Sequence, residues 1–276
     1  MALGLKKSLS RRVIAATKGM IDYDFGKLYH HQLVERLHYA YCILNAARLA
    51  LRLGQNRISL IEFGVAGGNG LLAAERLSKA VSQYLGGRIE FEIYGFDTGE
   101  GMPEVQDYRD LPYWFKRQQY AMDFEKLRGE LATAKLVIGN VESTVTTFFE
   151  THDPAPVGAI FFDLDYYSST MSALKMFDQR HFDRYFLPRL FLYMDDVIGQ
   201  EFEMYGEFNG PLAAIKDFNA QHDNAKIHLN QNLLSRSDLF FRYQIYYAHL
   251  LSHRDYNKYV GGEDQEQIQD LLKLKA

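Results

Sequence analysis

Apolar residues recur along the chain in two alternating patterns, a helical period and short continuous runs. Positions 28–53 carry apolar residues at steps of three and four, which predicts one long helix ending at Gly54. Short apolar runs typical of buried strands lie at 58–63, 89–96, 135–138, 157–162 and 191–194. Helical spacing lies between or after them at 71–85, 145–150, 169–177 and 211–221, and 226–234 with 239–251 favours a late antiparallel pair.

Strands that alternate with helices indicate repeated strand–helix units, and therefore a largely parallel, doubly wound α/β sheet with both faces covered. In such sheets a ligand binds beyond the carboxyl ends of the strands, near the point where the strand order reverses. The residues directly after each predicted strand are therefore the first candidates for function. Nearly every one of these strand ends carries a carboxylate.

Composition and charge narrow the class of protein. The chain has 276 residues, 47% of them hydrophobic, which is enough for a large core. The first 20 residues carry five basic and no acidic residues. Because the whole chain has a net charge of −4, the remaining residues have a net charge of −9. An acidic body argues against nucleic-acid binding, and no apolar stretch is long enough for a membrane span. With Cys42 as the only cysteine, a disulfide framework is excluded and a cytoplasmic location is expected.

The first predicted strand ends in a glycine-rich loop that begins with an acid. Glu62 is followed by Gly64, Gly67 and Gly68, whereas the spacing of a dinucleotide-binding loop and a phosphate-binding lysine are both missing. Glu62 would repel a pyrophosphate and favour a cation. We therefore expect a cationic nucleoside without phosphates. S-adenosylmethionine (SAM) has this chemistry, and Asp97, at the end of the second strand, is expected to accept hydrogen bonds from its ribose hydroxyls.

The third predicted strand ends at a short polar segment. Asn140 and Glu142 are candidates to bind the exocyclic amine of an adenine, and Val141 offers an apolar face to its ring. A plain polar loop is the alternative.

Four carboxylates follow the fourth and fifth predicted strands. Asp163 and Asp165 come after one, Asp195 and Asp196 after the other, and neighbouring strands would bring them to one edge. Crowded carboxylates repel, and a divalent cation relieves the repulsion. Oxygen-only ligands indicate Mg²⁺, with Asp163, Asp195 and Asp196 as candidate ligands. Two alternatives remain open: capping of helices and turns by these acids, and pairing with arginines, for which the candidates are Arg180, Arg184 and Arg189.

A metal next to a methyl donor would bind a substrate hydroxyl, lower its pKa and orient it toward the sulfonium methyl. Asp165 is the nearest candidate to remove the proton, with Asp163 as the second catalytic candidate and a neighbour of the nucleoside. Tyr166 and Tyr167 follow directly and are candidate contacts for the acceptor.

Taken together, four segments resemble class I SAM-dependent methyltransferases and, more narrowly, the macrocin O-methyltransferase type, whose members methylate sugar hydroxyls in natural products with Mg²⁺. The segments read EFGVAGG at 62–68, YGFDTGEGMP at 94–103, DLDYYSST at 163–170 and DD at 195–196. The similarity extends over about 58–218, including GPLAAIKDF at 210–218. It implies a seven-stranded, Rossmann-like sheet with an antiparallel C-terminal strand pair.

The resemblance also implies roles for individual residues. The loop from Glu62 to Gly68 would hold the methionine part of SAM and Asp97 its ribose, while Asp163, Asp195 and Asp196 would bind the metal. Asp165 matches the second acid of the family's D-x-D segment, so either a ligand or a base role carries over. The sequence departs from the family before the fifth strand, where the usual Gly-Gly turn is missing, and in the 32-residue spacing from Asp163 to Asp195.

These observations predict an N-terminal basic arm and helix at 1–57, serving as a lid or an oligomer contact, and a methyltransferase domain at 58–276 with an aromatic insertion at about 98–124. The predicted function is Mg²⁺-dependent methylation of a hydroxyl on a small molecule, a glycoside or other natural-product sugar. A phenol or catechol acceptor is one alternative. Two further alternatives are a natural-product hydroxylase on the same scaffold and a non-catalytic binding module. A homo-oligomer is compatible with each of these functions.

Overall fold

The fold is built on a seven-stranded mixed sheet. A computed structural model of the protein describes residues 2–18, 21, 23–179 and 181–273. Its strands are β1 (Arg57–Phe63), β2 (Glu90–Asp97), β3 (Lys135–Ile138), β4 (Val157–Phe162), β5 (Phe186–Met194), β6 (Ala225–Leu229) and β7 (Ile245–Leu250). Their order is β3-β2-β1-β4-β5-β7-β6; the first five pair in parallel, and β7 pairs antiparallel with both β5 and β6. This confirms the predicted doubly wound, mostly parallel sheet with an antiparallel C-terminal pair.

Helices cover both faces of the sheet. They are α1 (Ala2–Thr17), α2 (Phe25–His30), α3 (Leu37–Leu53), α4 (Asn69–Tyr84), α5 (Phe124–Glu130), α6 (Val141–His152), α7 (Tyr167–Leu174), α8 (Phe182–Tyr185), α9 (Gly210–Gln221) and α10 (Glu263–Leu272). Side chains of α3 and α4 pack on one face, and side chains of α6, α7 and α9 pack on the other. Among the described helices, none combines the length and the apolar character that crossing a bilayer requires.

The prediction of one long helix over 28–53 is wrong. α2 ends at His30, α3 begins at Leu37, and Gln32 and Arg36 between them adopt positive φ angles of 59° and 39°. Tertiary contacts hold this turn, since Glu35 accepts two hydrogen bonds from Arg76 at 2.7 and 2.8 Å. The apolar spacing continues through the turn because its side chains still pack on the core, so the period alone does not reveal the break.

The strand ends align at one edge of the sheet because the parallel register is continuous there. Phe63 lies opposite both Phe96 and Phe162, and Phe162 lies opposite Met194. The backbone N–H of Asp163 donates to the carbonyl of Phe63 at 2.9 Å, which extends the pairing one residue past the strands. The residues that follow β1, β2, β4 and β5 therefore meet at a single edge.

Gly64 is the tightest point of this edge. It has a φ of +82°, and a Cβ there would lie 1.8 Å from the carbonyl oxygen of Asp163. Gly54, at the end of α3, has a similar φ of +84° but no heavy atom within 4 Å of the corresponding position. Any side chain at Gly64 would therefore push β1 and β4 apart, whereas at Gly54 it would only strain the backbone.

The pair of glycines gives a matched test. We expect Gly54→Ala to lower the free energy of unfolding by about 1 kcal/mol, the cost of left-handed backbone in a residue with a Cβ. Gly64→Ala should lower it by roughly 3 kcal/mol or more, because overpacking against backbone adds to the same strain. Urea unfolding of the two variants measures the difference. Equal losses would contradict the close contact between the two strand ends.

Candidate active site

The aligned strand ends open onto a cavity of about 420 Å³, within the usual range for small-molecule sites. The loops after all five parallel strands and the aromatic insertion contribute to its walls. The predicted site residues that line it are Gly64, Asp97, Asn140, Val141, Glu142, Asp163, Asp165, Asp195 and Asp196. Glu62, Gly67 and Gly68 are not among the lining residues.

Asp97 holds the glycine-rich loop in place. Its Oδ2 accepts hydrogen bonds from the backbone N–H of Val65 and Ala66 at 2.8 and 2.9 Å, and its Oδ1 accepts one from Gly99 at 2.7 Å. A carboxylate offers about four lone pairs, so roughly one remains for a ligand. Asp97 can therefore shape the loop and accept one ligand hydroxyl rather than two.

Glu62 lies behind the loop, under the first turn of α4. It is buried, and its Oε1 accepts a hydrogen bond from the hydroxyl of Tyr39 at 2.7 Å. A Cβ at Gly70 would lie 1.8 Å from the same oxygen, so the glycine at this position is required by Glu62. Burial raises the pKa of Glu62 to about 8, and Oε2 has no hydrogen-bond partner among the described residues. Glu62 thus supports the loop from inside the protein.

Two of the predicted loop glycines have different surroundings. Gly67 is exposed, with no heavy atom within 4 Å of the position that a Cβ would take. Gly68 caps α4 with a φ of 82°, and a Cβ there would lie 2.2 Å from Leu127. Gly68 is therefore required by packing, whereas Gly67 leaves space next to the loop.

The segment after β3 forms one end of the cavity. The Oδ1 of Asn140 accepts a hydrogen bond from the backbone N–H of Glu142 at 2.9 Å and caps α6. Glu142 forms an ion pair with Lys175 at 2.7 Å, and the hydrogen bond from that ammonium lowers its pKa. Val141 lies between them with a half-buried side chain. One apolar and two polar groups therefore face the cavity together, although both polar side chains already have protein partners.

Asp163, Asp195 and Asp196 come together, as their positions after neighbouring strands predict. Each offers a carboxylate oxygen, and these oxygens lie within 4.8 Å of one another. Burial, and then repulsion by the neighbouring acids, raises the pKa of Asp163 and of Asp196 well above the usual range. Burial also raises the pKa of Asp165 to about 6. An oxygen-only group of this kind fits a hard divalent cation, which would remove the repulsion.

Neutral donors hold the carboxylates in place. Tyr193 donates a short hydrogen bond to Asp195, and Gln244 donates to the Oδ1 and the carbonyl oxygen of Asp195 at 3.2 and 2.9 Å. The backbone N–H of Asp165 donates to Asp196 at 2.9 Å. Gln244 has no signal in the sequence, because it follows β5 by some 50 residues and reaches the site only through the pairing of β7 with β5. None of these donors carries a charge that would cancel those of the acids.

Two of the three candidate arginines, Arg184 and Arg189, have other partners and do not pair with these acids. Arg184 forms an ion pair with Asp153 at 2.5 Å, and Arg189 donates to the carbonyl of Tyr256 at 3.2 Å, while Arg180 lies outside the described residues. Arg36 is a cation that the sequence did not indicate, and its guanidinium lies 5.2 Å from the ring of Tyr39. Its charge lowers the pKa of Asp163, but burial and the neighbouring acids outweigh this effect.

Asp110 fastens the aromatic insertion to the start of α7. This carboxylate is fully buried and accepts hydrogen bonds from the backbone N–H of Ser168 at 2.8 Å, its hydroxyl at 2.9 Å, and the backbone N–H of Gln106 at 2.9 Å. Three hydrogen bonds to one buried carboxylate are a strong local tie. The insertion is therefore attached next to the cavity that it helps to line.

Tyr166 and Tyr167, which the sequence offered as contacts for the acceptor, are not among the residues that line the cavity. Tyr166 is fully buried and packs against Phe115. The hydroxyl of Tyr167 donates to Asp217 at 2.8 Å, and the guanidinium of Arg109 lies 3.6 Å above its ring. Both rings support the insertion instead, because the turn after Asp165 directs them into the protein.

Comparison with known proteins supports the fold. No family model and no curated protein matches the sequence. Solved structures do, including CalS11, described as a calicheamicin methyltransferase, at 18% identity over 88% of this chain and 92% of that chain with a TM-score of 0.50. Another is the O-methyltransferase TomG from Streptomyces achromogenes, at 13% identity over 86% and 94% of the two chains with a TM-score of 0.43. The likeness to CalS11 confirms the class I methyltransferase fold that the resemblance implies.

Charge repulsion at the site predicts a stability change in metal-free protein. The pKa of Asp163 is higher in the folded state than the unfolded value of about 3.9, so the folded chain loses stability as the pH rises above ~4. Asp163→Asn removes the charge at nearly constant volume. We expect it to raise the free energy of unfolding by about 1–3 kcal/mol at pH 8, and by much less near pH 4.

Chemical unfolding in EDTA at the two pH values measures this gain. Asp223→Asn, at an exposed position away from the cavity, is the matched control and should leave stability unchanged at both. A loss of stability in Asp163→Asn at pH 8 would mean that the carboxylates are not in conflict.

Proposed function

We propose that this protein is a SAM-dependent O-methyltransferase that uses a divalent cation, Mg²⁺ by its ligand chemistry, and methylates a hydroxyl of a small molecule. We further propose that the hydroxyl belongs to a glycoside or another natural-product sugar. One observation carries the proposal: the three clustered carboxylates after β4 and β5 share a cavity with the glycine-rich loop after β1 and with Asp97. A site for a cationic nucleoside and a site for a cation are thus side by side.

The cavity favours SAM over a phosphate-bearing nucleotide. The described residues that line it include seven carboxylates and no lysine, arginine or histidine, so no cationic side chain of the lining would offset the charge of a phosphate. The sulfonium of SAM is attracted to such a lining. Asp97 has one acceptor position for a ribose hydroxyl, and Val141 supplies an apolar contact for the adenine. Glu62 supports the loop that would hold the methionine part.

Asp163, Asp195 and Asp196 would hold the metal. Their spacing and the raised pKa values of Asp163 and Asp196 both fit a hard dication with oxygen ligands. When bound, such a cation lowers the pKa of a coordinated hydroxyl and orients its oxygen.

Asp165 is the proposed general base. It lines the same cavity, and its backbone, with a φ of 54°, turns the chain so that its N–H donates to Asp196. The hydroxyl of Tyr205 approaches its Oδ1 at 3.4 Å. In the proposed reaction Asp165 accepts the proton of the acceptor hydroxyl. The oxygen forms a bond to the methyl carbon as the carbon–sulfur bond breaks, which leaves S-adenosylhomocysteine and the methyl ether.

Polar side chains in the cavity support a hydroxyl-rich acceptor. Ser168, Ser169 and Ser172 on α7, together with Gln106 of the insertion, also line the cavity. Hydroxyl and amide groups donate and accept hydrogen bonds, as a sugar requires. The fold is also shared with CalS11, which is described as a calicheamicin methyltransferase.

Calorimetry and methyl-transfer assays test the two sites separately. We expect SAM to bind with one site per chain, and turnover of labelled SAM on a panel of glycosides and catechols to stop in EDTA and return with Mg²⁺. Asp195→Ala should lower turnover by at least 100-fold while changing the SAM Kd by less than about threefold, because a metal ligand acts on the acceptor side of the cavity.

Asp97→Ala is the complementary variant. It should weaken SAM binding by at least 100-fold, because the loop loses three backbone hydrogen bonds as well as a ribose contact. Turnover that persists in EDTA would refute the metal role, and an absence of SAM binding by the wild-type protein would refute the function as a whole.

A further inference from the structure

Tyr120, near the end of the aromatic insertion, is a residue of the cavity wall that the proposed reaction does not yet use. It lines the cavity, and its side chain is nevertheless 62% exposed. Its backbone has a φ of 63°, in the left-handed region that disfavours residues with a Cβ. Tyr120 is therefore a strained residue at a binding cavity.

The backbone around Tyr120 is held by the first residues of the insertion. The N–H of Met102 donates to the carbonyl of Gln119 at 2.9 Å, and the N–H of Gln118 donates to the carbonyl of Met102 at 2.9 Å. A Cβ at Gly101 would lie 2.3 Å from the carbonyl oxygen of Gln119, so the two segments are in close contact. The turn that carries Tyr120 is thus fixed against the segment at 101–102.

Packing of the ring does not account for this strain. The buried residues of the small core under the insertion are Met102, Leu111, Phe115 and Tyr166, and Tyr120 does not belong to that core. Its hydroxyl has no hydrogen bond to another described residue. Strain at a residue that contributes little to packing is typical of positions that bind a ligand.

The side chain of Tyr120 lies close to the acidic part of the cavity. Partial burial, and then the charges of Asp165, Asp196, Glu203 and Asp163, raise its pKa. The phenol is therefore neutral at physiological pH and keeps a proton to donate. It donates to none of these carboxylates, although it shares the cavity with them. A ligand between Tyr120 and Asp165 can therefore bond with both.

We infer that Tyr120 is an acceptor-contact residue, whose ring covers one face of the bound acceptor and whose hydroxyl donates to an acceptor oxygen next to the reacting one. This inference rests on the proposed function and adds the residue that orients the acceptor toward Asp165. A donor to the reacting oxygen itself would hold back the electron pair that attacks the methyl carbon. A neighbouring oxygen, present in glycosides and in catechols alike, can be held without this penalty.

Two glycine substitutions in the same turn separate a binding role from a structural one. Gln118 has a φ of 66°, is exposed and lies outside the cavity lining, so Gln118→Gly is the matched control for Tyr120→Gly. Glycine tolerates left-handed backbone, and both variants should leave the melting temperature unchanged or slightly raised. Tyr120→Gly alone should lower kcat/KM by about 100-fold on a glycoside or catechol that the wild type methylates. Both variants should change the SAM Kd by less than about threefold.

Tyr120→Phe isolates the hydroxyl. It keeps the ring and removes one hydrogen bond, so kcat/KM should fall by about tenfold, chiefly through a higher KM for the acceptor.

A binding measurement makes the test independent of a known acceptor. 4-Nitrocatechol carries two adjacent oxygens on an aromatic ring, and its absorption changes when they chelate a cation. In protein loaded with S-adenosylhomocysteine and Mg²⁺, Tyr120→Gly should weaken its binding by about tenfold, because the contact with the tyrosine ring is lost. Gln118→Gly should bind it as the wild type does.

Three results would overturn the inference: wild-type affinity and turnover in Tyr120→Gly, equal losses in the two glycine variants, or a melting temperature lowered only in Tyr120→Gly. A wild-type protein that binds SAM but neither binds 4-nitrocatechol nor methylates any glycoside or catechol would overturn it as well. In each of these cases SAM binding by the wild type, measured by calorimetry, leaves the methyl-donor site standing. If SAM does not bind, the proposed function itself fails.

Discussion

Mutual repulsion among the carboxylates after β4 and β5 is the interaction around which the site is arranged. The sheet register brings Asp163 and Asp195 to the same edge, where the neutral side chains of Tyr193 and Gln244 donate hydrogen bonds to Asp195. Burial then raises the pKa of Asp163 and of Asp196, so that gathering these acids without a cation costs folding free energy. Such a cost is typical of residues kept for binding rather than for stability.

The acids with raised pKa values, Asp163 and Asp196, lie next to the glycine-rich loop after β1. The two acids at this loop, Asp97 and Glu62, support its backbone. Asp97 uses most of its hydrogen-bonding capacity to fix the backbone after β1, and Glu62 supports the same loop from below through Tyr39 and Gly70. The two halves of the cavity therefore differ in chemistry. One presents a rigid, backbone-lined cradle, and the other presents oxygens that need a cation. This division matches the two ligands of the proposed reaction.

The sheet and the clustered acids are predictable from sequence because both follow from local rules. Continuous apolar runs indicate buried parallel strands, and parallel strands end at one edge, which brings Asp163, Asp195 and Asp196 together. Contacts between distant parts of the chain are not accessible in this way. The turn between α2 and α3 contains Glu35, which pairs with the distant Arg76, and Tyr166 is buried against Phe115 of the insertion. Gln244 reaches Asp195 only through the pairing of β7 with β5.

The most direct test of the cation site is the position of a metal in crystals grown with Mn²⁺ and S-adenosylhomocysteine. Anomalous diffraction at the manganese edge should give one peak per chain, bounded by carboxylate oxygens of Asp163, Asp195 and Asp196, with the nucleoside on the loop after β1. A cavity that holds the nucleoside but shows no anomalous peak, or a peak at other residues, would contradict the claim that these carboxylates are gathered to bind a cation.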